Sequence, residues 1–538
     1  MKRNLLKVIG ISFLIFVVLS WIIPVGTYSS GELTTDGTDP VGLYALFSTP
    51  VSTILTFVLY AVVFAAIGGL YGVVDKTGAL KPMLEKASKN KGKGFLIFSI
   101  IFFIVLSSLT GLSMLLFVLV PLFASIIFAK GYDKITALAS TVGGILVGSV
   151  CSTYGFNITG YTKNLLSVDM NNEIVAKLVL LVLLTAALIF FVIKKADKSI
   201  KANALISKDS KKAFDIEKEE IEEEIEEEKK EAKSKTAKKA QTKKAETKKP
   251  AAKKTTTKKP ATKKPATKKT TTKKGNTKNF AIAKNVKKVK AEKKTSIIPF
   301  MVITIILLLI AAVGMYNWYY AFGIETFNDM YDAIMGVEIG DYPILENIFG
   351  GVSQLGYWGN TDLVVILVVI SALLAFVYKL SLNEYVEGFI KGMKEMMPTA
   401  IYAALASVIL YVLYSASYYG SGTIVNTIFA KIMGEDFNVI LTAISSLIGS
   451  FFYNDLYYLL SGLNSFVSSY SAGDLKIAAL LIQSVYGIGM MLFPTSVVLI
   501  AGLSYFDVKW SEWIKYIWKF LLGLFILVVV VCLLLTII

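Results

Sequence analysis

Histidine is absent from the 538 residues, and cysteine occurs only twice, at Cys151 and Cys532. The first absence removes the commonest proton shuttle and metal ligand. The second leaves neither a disulfide framework nor a thiolate cluster, since both cysteines sit in apolar runs. No GxxxxGK[ST] loop occurs, which argues against ATP-driven work by this chain alone, and no HExxH or GxSxG supports an intramembrane hydrolase. Charge is also scarce once one segment is set aside. Residues 196–296 hold 33 lysines against 15 acids, whereas the rest of the chain has 23 basic and 24 acidic residues. The formal net charge of +17 therefore belongs to a single insert.

What is abundant is apolar: 54% of the residues are hydrophobic. Runs near twenty residues at 5–23, 52–74, 174–193, 297–315, 363–377, 477–503 and 520–538 read as transmembrane helices, making this an all-α polytopic membrane protein. The first run follows Met1-Lys2-Arg3 but has no small-residue cleavage site after "SWIIPVGTY", so an uncleaved first helix is expected.

The insert divides two membrane halves. It opens with "EKEEIEEEIEEEKKEAKSK", which suits a charged helix with i,i+4 Glu–Lys pairs, and continues as "TKKPATKKPATKKTTTKK", too polar to bury a core and expected to be disordered. It reads first as a cytoplasmic linker. The alternative makes it the working part of a membrane-anchored interaction protein, holding anionic lipid or nucleic acid at about 1 kcal/mol per lysine near a negative leaflet.

Lysine placement orients the rest. Lysines cluster at 76–93, 130–134, in the insert, at 379–394 and at 509–519, which assigns those loops, and the N-terminus, to the cytoplasm. Loops 26–41 and 319–360 carry acids and no Lys or Arg and go outside, as does the C-terminus. Residues 94–129 have inside-type flanks at both ends, so they fit a re-entrant hairpin with its tip near 107–113. Residues 438–466 fit a second hairpin entering from outside. Each half then reads as span, span, hairpin, interrupted span, span, in opposite orientations: 1–195, the insert 196–296, a linking span and outer loop 297–362, and 363–538. Inverted repeats with discontinuous helices mark secondary transporters, with solute bound near the midplane.

Three stretches carry a family resemblance. "GIGMMLFPTSVVLIAGLSYFDVKWSEWIKYIWKF", "PLFASIIFAKGYDKITALAS" and "SWIIPVGTY" resemble segments of the anaerobic C4-dicarboxylate carrier-like (YfcC-type) family, with its Pro-Thr-Ser unit and Trp-anchored helix. The resemblance implies the ion transporter superfamily: a scaffold, a mobile transport domain of two opposed hairpins and two interrupted helices, and transport of organic anions, amino acids or small peptides by ion coupling or exchange. It also implies a homodimer built on the scaffold. The sequence departs from the pattern at Ser113-Met114-Leu115, where relatives carry an acidic pair, at Thr153-Tyr154-Gly155-Phe156-Asn157, where they carry Asn-Pro, and at the tip Phe452-Tyr453-Asn454-Asp455.

The interrupted helices carry the candidate chemistry, because a broken helix frees carbonyls and N–H groups inside the membrane. Ser152, Thr153, Asn157 and Thr159 are the candidates in the first half, with Pro494, Thr495 and Ser496 in the second. Gly487 and Gly489 permit close backbone approach. Ser107, Ser108 and Thr110 are candidates at the first hairpin tip, Asn454 and Asp455 at the second. Against this, Ser, Thr and Gly are ordinary packing residues between membrane helices, and hydroxyls at a tip can serve only the turn. Asp455 is the one acid expected within hydrocarbon, where it can hold a cation, bind a cationic solute or carry a proton. Hydroxyls and carbonyls suffice for Na⁺, a hard cation, as coupling ion. Residues 382–397, "LNEYVEGFIKGMKEMM", read as an amphipathic interfacial helix ending before Pro398. The expectation is an elevator-type secondary transporter of a small charged organic solute, a dicarboxylate or an amino acid or peptide, and not an enzyme.

Overall fold

The computed structural model describes residues 3–29, 31–90, 92–169, 173–197, 295–417 and 423–537. These fall in one compact unit, Met1–Ser199 with Ala281–Ile538. The expected charged helix and lysine-rich linker of the insert lie outside the described residues.

Among the described residues, eight helices are long and apolar enough to cross a membrane: Asn4–Ile22, Val58–Thr77, Ile174–Asp197, Ile298–Met315, Asn360–Val377, Leu382–Ser415, Ala472–Phe506 and Trp510–Leu535. Their apolar runs favour helix because hydrocarbon offers no partner to a free backbone group. Two short strand pairs, Gly26–Ser29 with Glu32–Thr35 and Glu338–Ile339 with Tyr342–Pro343, lie in the connecting segments.

Two expectations are corrected. The run at 52–74 is not one element: Leu43–Thr56 ends at Phe57, whose ψ of 25° interrupts the helix before Val58–Thr77 begins. Nor does the helix from Leu382 stop at Pro398. It runs to Leu405 with the proline inside and packs lengthwise on Val58–Thr77. Gly388 and Gly392 face Gly68 and Gly72 so closely that a Cβ on Gly72 would meet the Gly388 carbonyl oxygen at 2.1 Å. This pair of small-residue stripes brings two backbones together, and packing of that depth supports a helix that continues through a residue that normally breaks it. The segment is therefore part of a helix–helix pair, not an interfacial strap.

Two hairpins are present. In the first, Gly94–Thr110 is followed by a turn at Gly111 (φ 69°) and by the short helices Ser113–Phe117 and Val120–Ala129. The return arm folds back along the first, as Phe123 lies 4.9–6.0 Å from Phe103, Phe102, Phe95 and Phe98. The left-handed φ at Gly111 is open to glycine at no steric cost. In the second, Val439–Phe452 and Leu456–Val467 are separated by Tyr453-Asn454-Asp455. Leu459 fills the space beside Gly449.

Two helices are broken. Val142–Val150 gives way to an irregular stretch before Phe156–Leu166, and Ala472–Leu492 gives way to Phe493-Pro494-Thr495-Ser496 before Val497–Phe506. Proline accounts for the second break, since it lacks an N–H and clashes with the preceding turn. The first has no proline; there, serine and threonine side chains compete for backbone partners. Each hairpin's first arm packs on the broken helix of its own half. Gly144 and Gly148 receive Phe103 and Ser107 in one, and Gly489 receives Ser450 in the other.

Candidate functional site

The first hairpin tip and the first break are stitched together. Ser108 Oγ donates to the Cys151 carbonyl at 2.7 Å, and the Ser108 carbonyl accepts from Thr153 N at 2.9 Å and from Ser152 Oγ at 3.2 Å. The next three carbonyls of the break are each taken by a different helix. Gln483 Nε2, from the second broken helix, donates to Ser152 O at 2.9 Å; Lys177 Nζ donates to Thr153 O at 3.2 Å; and the Tyr316 hydroxyl donates to Tyr154 O at 2.6 Å. Burial pushes the Tyr316 phenol up to about 12, so it stays a donor at neutral pH.

The second break is finished by neutral donors. Trp513 Nε1 donates to Met491 O at 2.9 Å and Trp510 Nε1 to Leu492 O at 3.0 Å. Asn454 Nδ2, at the second hairpin tip, reaches Thr495 O at 2.8 Å and Ser407 Oγ at 3.0 Å. Ser496 Oγ caps the following helix by accepting from Leu499 N. Thr495 Oγ1 is buried without a hydrogen-bond partner among the described residues.

Between these four interruptions lies a cavity of about 340 Å³. Ser107, Ser152, Asn454, Asp455 and Ser496 line it, so both tips and both breaks contribute. Three tyrosines, Tyr60, Tyr161 and Tyr486, join them, and the Tyr486 hydroxyl donates to Asn454 O at 2.9 Å. Asp455 carries the one charged side chain among the lining residues. One of its oxygens, Oδ1, caps the returning arm by accepting from Tyr457 N at 2.8 Å.

Apart from Asn157, the other sequence candidates do not line the cavity. Ser108 and Thr153 are buried in the stitch just described. Thr110 Oγ1 donates to Leu106 O and accepts from Leu112 N, serving its own turn. Thr159 bonds to carbonyls of its own helix. Asn157 sits in the first turn of Phe156–Leu166, its side chain outside the described ones. Pro494 and Thr495 are buried behind the lining. Gly487 is a crossing point, where a Cβ would meet the Val150 backbone at 2.7 Å; at Gly489 it would meet Ser450 Oγ at 2.0 Å.

Sequence reasoning passed over Lys177 and Gln483, although each is a lone polar residue in an apolar run, the kind of outlier that hydrocarbon makes costly. The three tyrosines gave no such signal, because aromatic residues are common throughout the chain and only tertiary structure gathers these.

The family model of the C4-dicarboxylate anaerobic carriers matches residues 4–243. No curated protein matches the chain in sequence. Among solved structures, the YdaH transporter of Alcanivorax borkumensis is similar at 12% identity and a TM-score of 0.30, over 97% of this chain and 96% of that one.

Proposed function

Starting from a membrane transporter whose residues 4–243 match the family model of the C4-dicarboxylate anaerobic carriers, we propose that its solute is a small molecule bearing an ammonium group, moved by ion coupling or exchange. The observation that carries this reading is Asp455, the one charged side chain lining a cavity where two hairpin tips and two helix breaks converge. A dicarboxylate entering there meets a like charge without a positive lining partner. At about 4 Å and an effective dielectric of about 20, that repulsion is about 4 kcal/mol, and an ammonium gains the same amount. The volume suits a solute of amino-acid size, and the tyrosine faces favour a cation further. A free carboxylate on such a solute has the Ser496 hydroxyl as a donor, since that oxygen accepts from Leu499 N and keeps its own O–H.

Two hairpins and two broken helices around one cavity support alternating access in which this group moves against the remaining spans, the elevator scheme. The buried, unpartnered Thr495 hydroxyl supports Na⁺ at the second break, since hard cations take oxygen ligands. The lysine distribution supports a bacterial cytoplasmic membrane with the N-terminus and insert inside and the C-terminus outside.

The test is counterflow in proteoliposomes carrying the full chain and preloaded with lysine, alanine or succinate. Exchange of the amine-bearing solutes is expected, with its loss in Asp455→Asn, a change that keeps an N-cap acceptor and so spares the hairpin. Exchange of succinate alone, unaffected by Asp455→Asn, overturns the assignment.

A further inference from the structure

Lys177 lies in the first turn of Ile174–Asp197, a position from which a lysine ordinarily extends along the helix until its ammonium reaches the membrane surface. Here its side chain is fully buried, and its Nζ turns inward to the Thr153 carbonyl at the first helix break. The acidic side chains near enough to act on it are Asp169 and Glu173. Its neighbours at the break, Ser152 O and Tyr154 O, are held by a neutral amide and a neutral phenol. The second break has three side-chain donors, Trp510, Trp513 and Asn454, and all are neutral. The two breaks are alike in having carbonyls satisfied by side chains and differ in charge: among the described residues, only the first has a formal cation on a carbonyl freed by the interruption.

Thr153 lies in the unwound stretch between Val142–Val150 and Phe156–Leu166, and carbonyls of such unwound backbone are where a small coupling cation is stabilised. We propose that Lys177 supplies by covalent attachment the positive charge that a soluble coupling cation would supply at the first break, so that this half of the transport site binds no such ion. This rests on the transport reading above and gives the two breaks different roles: a tethered cation at one, a site open to a soluble cation at the other. Even with Asp169 and Glu173 nearby, a buried charge is a costly way to satisfy a carbonyl that glutamine could satisfy, as Gln483 does one residue away.

Replacement of Lys177 separates the tethered cation from a simple cap. Lys177→Gln keeps a donor of similar reach and loses the charge; Lys177→Arg keeps the charge; Lys177→Ala leaves space for a small ammonium. Each full-length variant is measured for counterflow in proteoliposomes and for thermal unfolding in detergent. Lys177→Gln is expected to fold and to lose exchange by about tenfold or more, with Lys177→Arg retaining most of it. Lys177→Ala is expected to have a lowered Tm that rises saturably with methylammonium and not with tetramethylammonium, which has no N–H to donate to the Thr153 carbonyl. Lys177→Gln exchanging at the wild-type rate, or a folded Lys177→Ala indifferent to methylammonium, overturns the tethered-cation role. The Tm arm needs no solute. If the wild type exchanges nothing, the transport reading fails while the melting curves still decide whether the break holds a cation.

Discussion

Gln483 and Ser152 come from opposite halves of the chain, and the amide of one completes the broken helix of the other through a 2.9 Å hydrogen bond. Both side chains are buried. The break in the first half is thus finished only when the second half is in place, which couples the folding of the two halves at the wall of the cavity. Gly487, one turn on, touches Val150 at the same crossing.

Gln483→Leu should leave the Ser152 carbonyl buried without this donor, at a cost of about 1–3 kcal/mol. A lowered Tm of the purified protein is the expected reading. Gln483→Glu should be worse, since it turns the donor into an acceptor against the same carbonyl. A Gln483→Leu protein as stable as the wild type would falsify the coupling of the halves through this bond.

Within the first hairpin tip, neighbouring hydroxyls should behave differently. Ser108→Ala removes the donor to Cys151 O in a wholly buried stitch, so destabilisation of about 1–3 kcal/mol is expected. Thr110 is only half-buried and serves its own turn, and Thr110→Ala should stay near the net value of one hydrogen bond, about 0.5–1.5 kcal/mol. Ser107 both donates to Ile145 O and lines the cavity, so Ser107→Ala should raise the KM of uptake in addition to any shift in Tm. Equal Tm losses at 108 and 110 with no KM change at 107 contradict this division.

Much of this layout was legible in the sequence. The flanking lysines of 94–129 ruled out a single crossing and implied a hairpin, and Gly111 marks its turn. Pro494 announced the second break, and the hydroxyl-rich stretch at 152–159 the first. What could not be read was which hydroxyls face the cavity, because Ser107 and Ser108 differ only in the direction each side chain takes from its helix. The Leu382–Leu405 helix was misread at Pro398 because the rule against proline in helices assumes water or loose packing around it. The clue that overrode the rule was the matching four-residue spacing of Gly68, Gly72 and Gly388, Gly392, which is informative only once the two helices are known to be partners.

That helix pair gives a sharp contrast between glycines. A Cβ on Gly392 would sit 1.9 Å from the Gly68 carbonyl oxygen, and the obstructing atom is backbone, so it cannot swing away. Gly392→Ala or Gly72→Ala should therefore force the helices apart and sharply reduce the yield of folded protein, scored by gel-filtration of detergent extracts. Gly523, inside Trp510–Leu535, has nothing within 4 Å of its would-be Cβ. Gly523→Ala should be neutral or gain up to about 1 kcal/mol from helix propensity. Comparable behaviour of the 392 and 523 variants would show that the close approach does not hold this pair together.

At the second hairpin tip, Asn454 is held from two sides: its amide reaches Thr495 O and Ser407 Oγ, and its carbonyl accepts from the Tyr486 hydroxyl. Tyr486→Phe removes the second of these while keeping the ring in the cavity wall. Because the freed carbonyl borders the cavity, it is open to hydration, and the loss of stability should stay within about 0.5–1.5 kcal/mol. The larger effect should be functional: a tip less firmly held against the second break costs solute affinity, so KM should rise with kcat nearly unchanged. Asn454→Ala strips the amide contacts, exposes the Thr495 carbonyl, and should lower both Tm and kcat as well. Initial uptake rates against solute concentration separate the two, and a Tyr486→Phe protein with unchanged KM means that the tip is positioned by Asn454 alone.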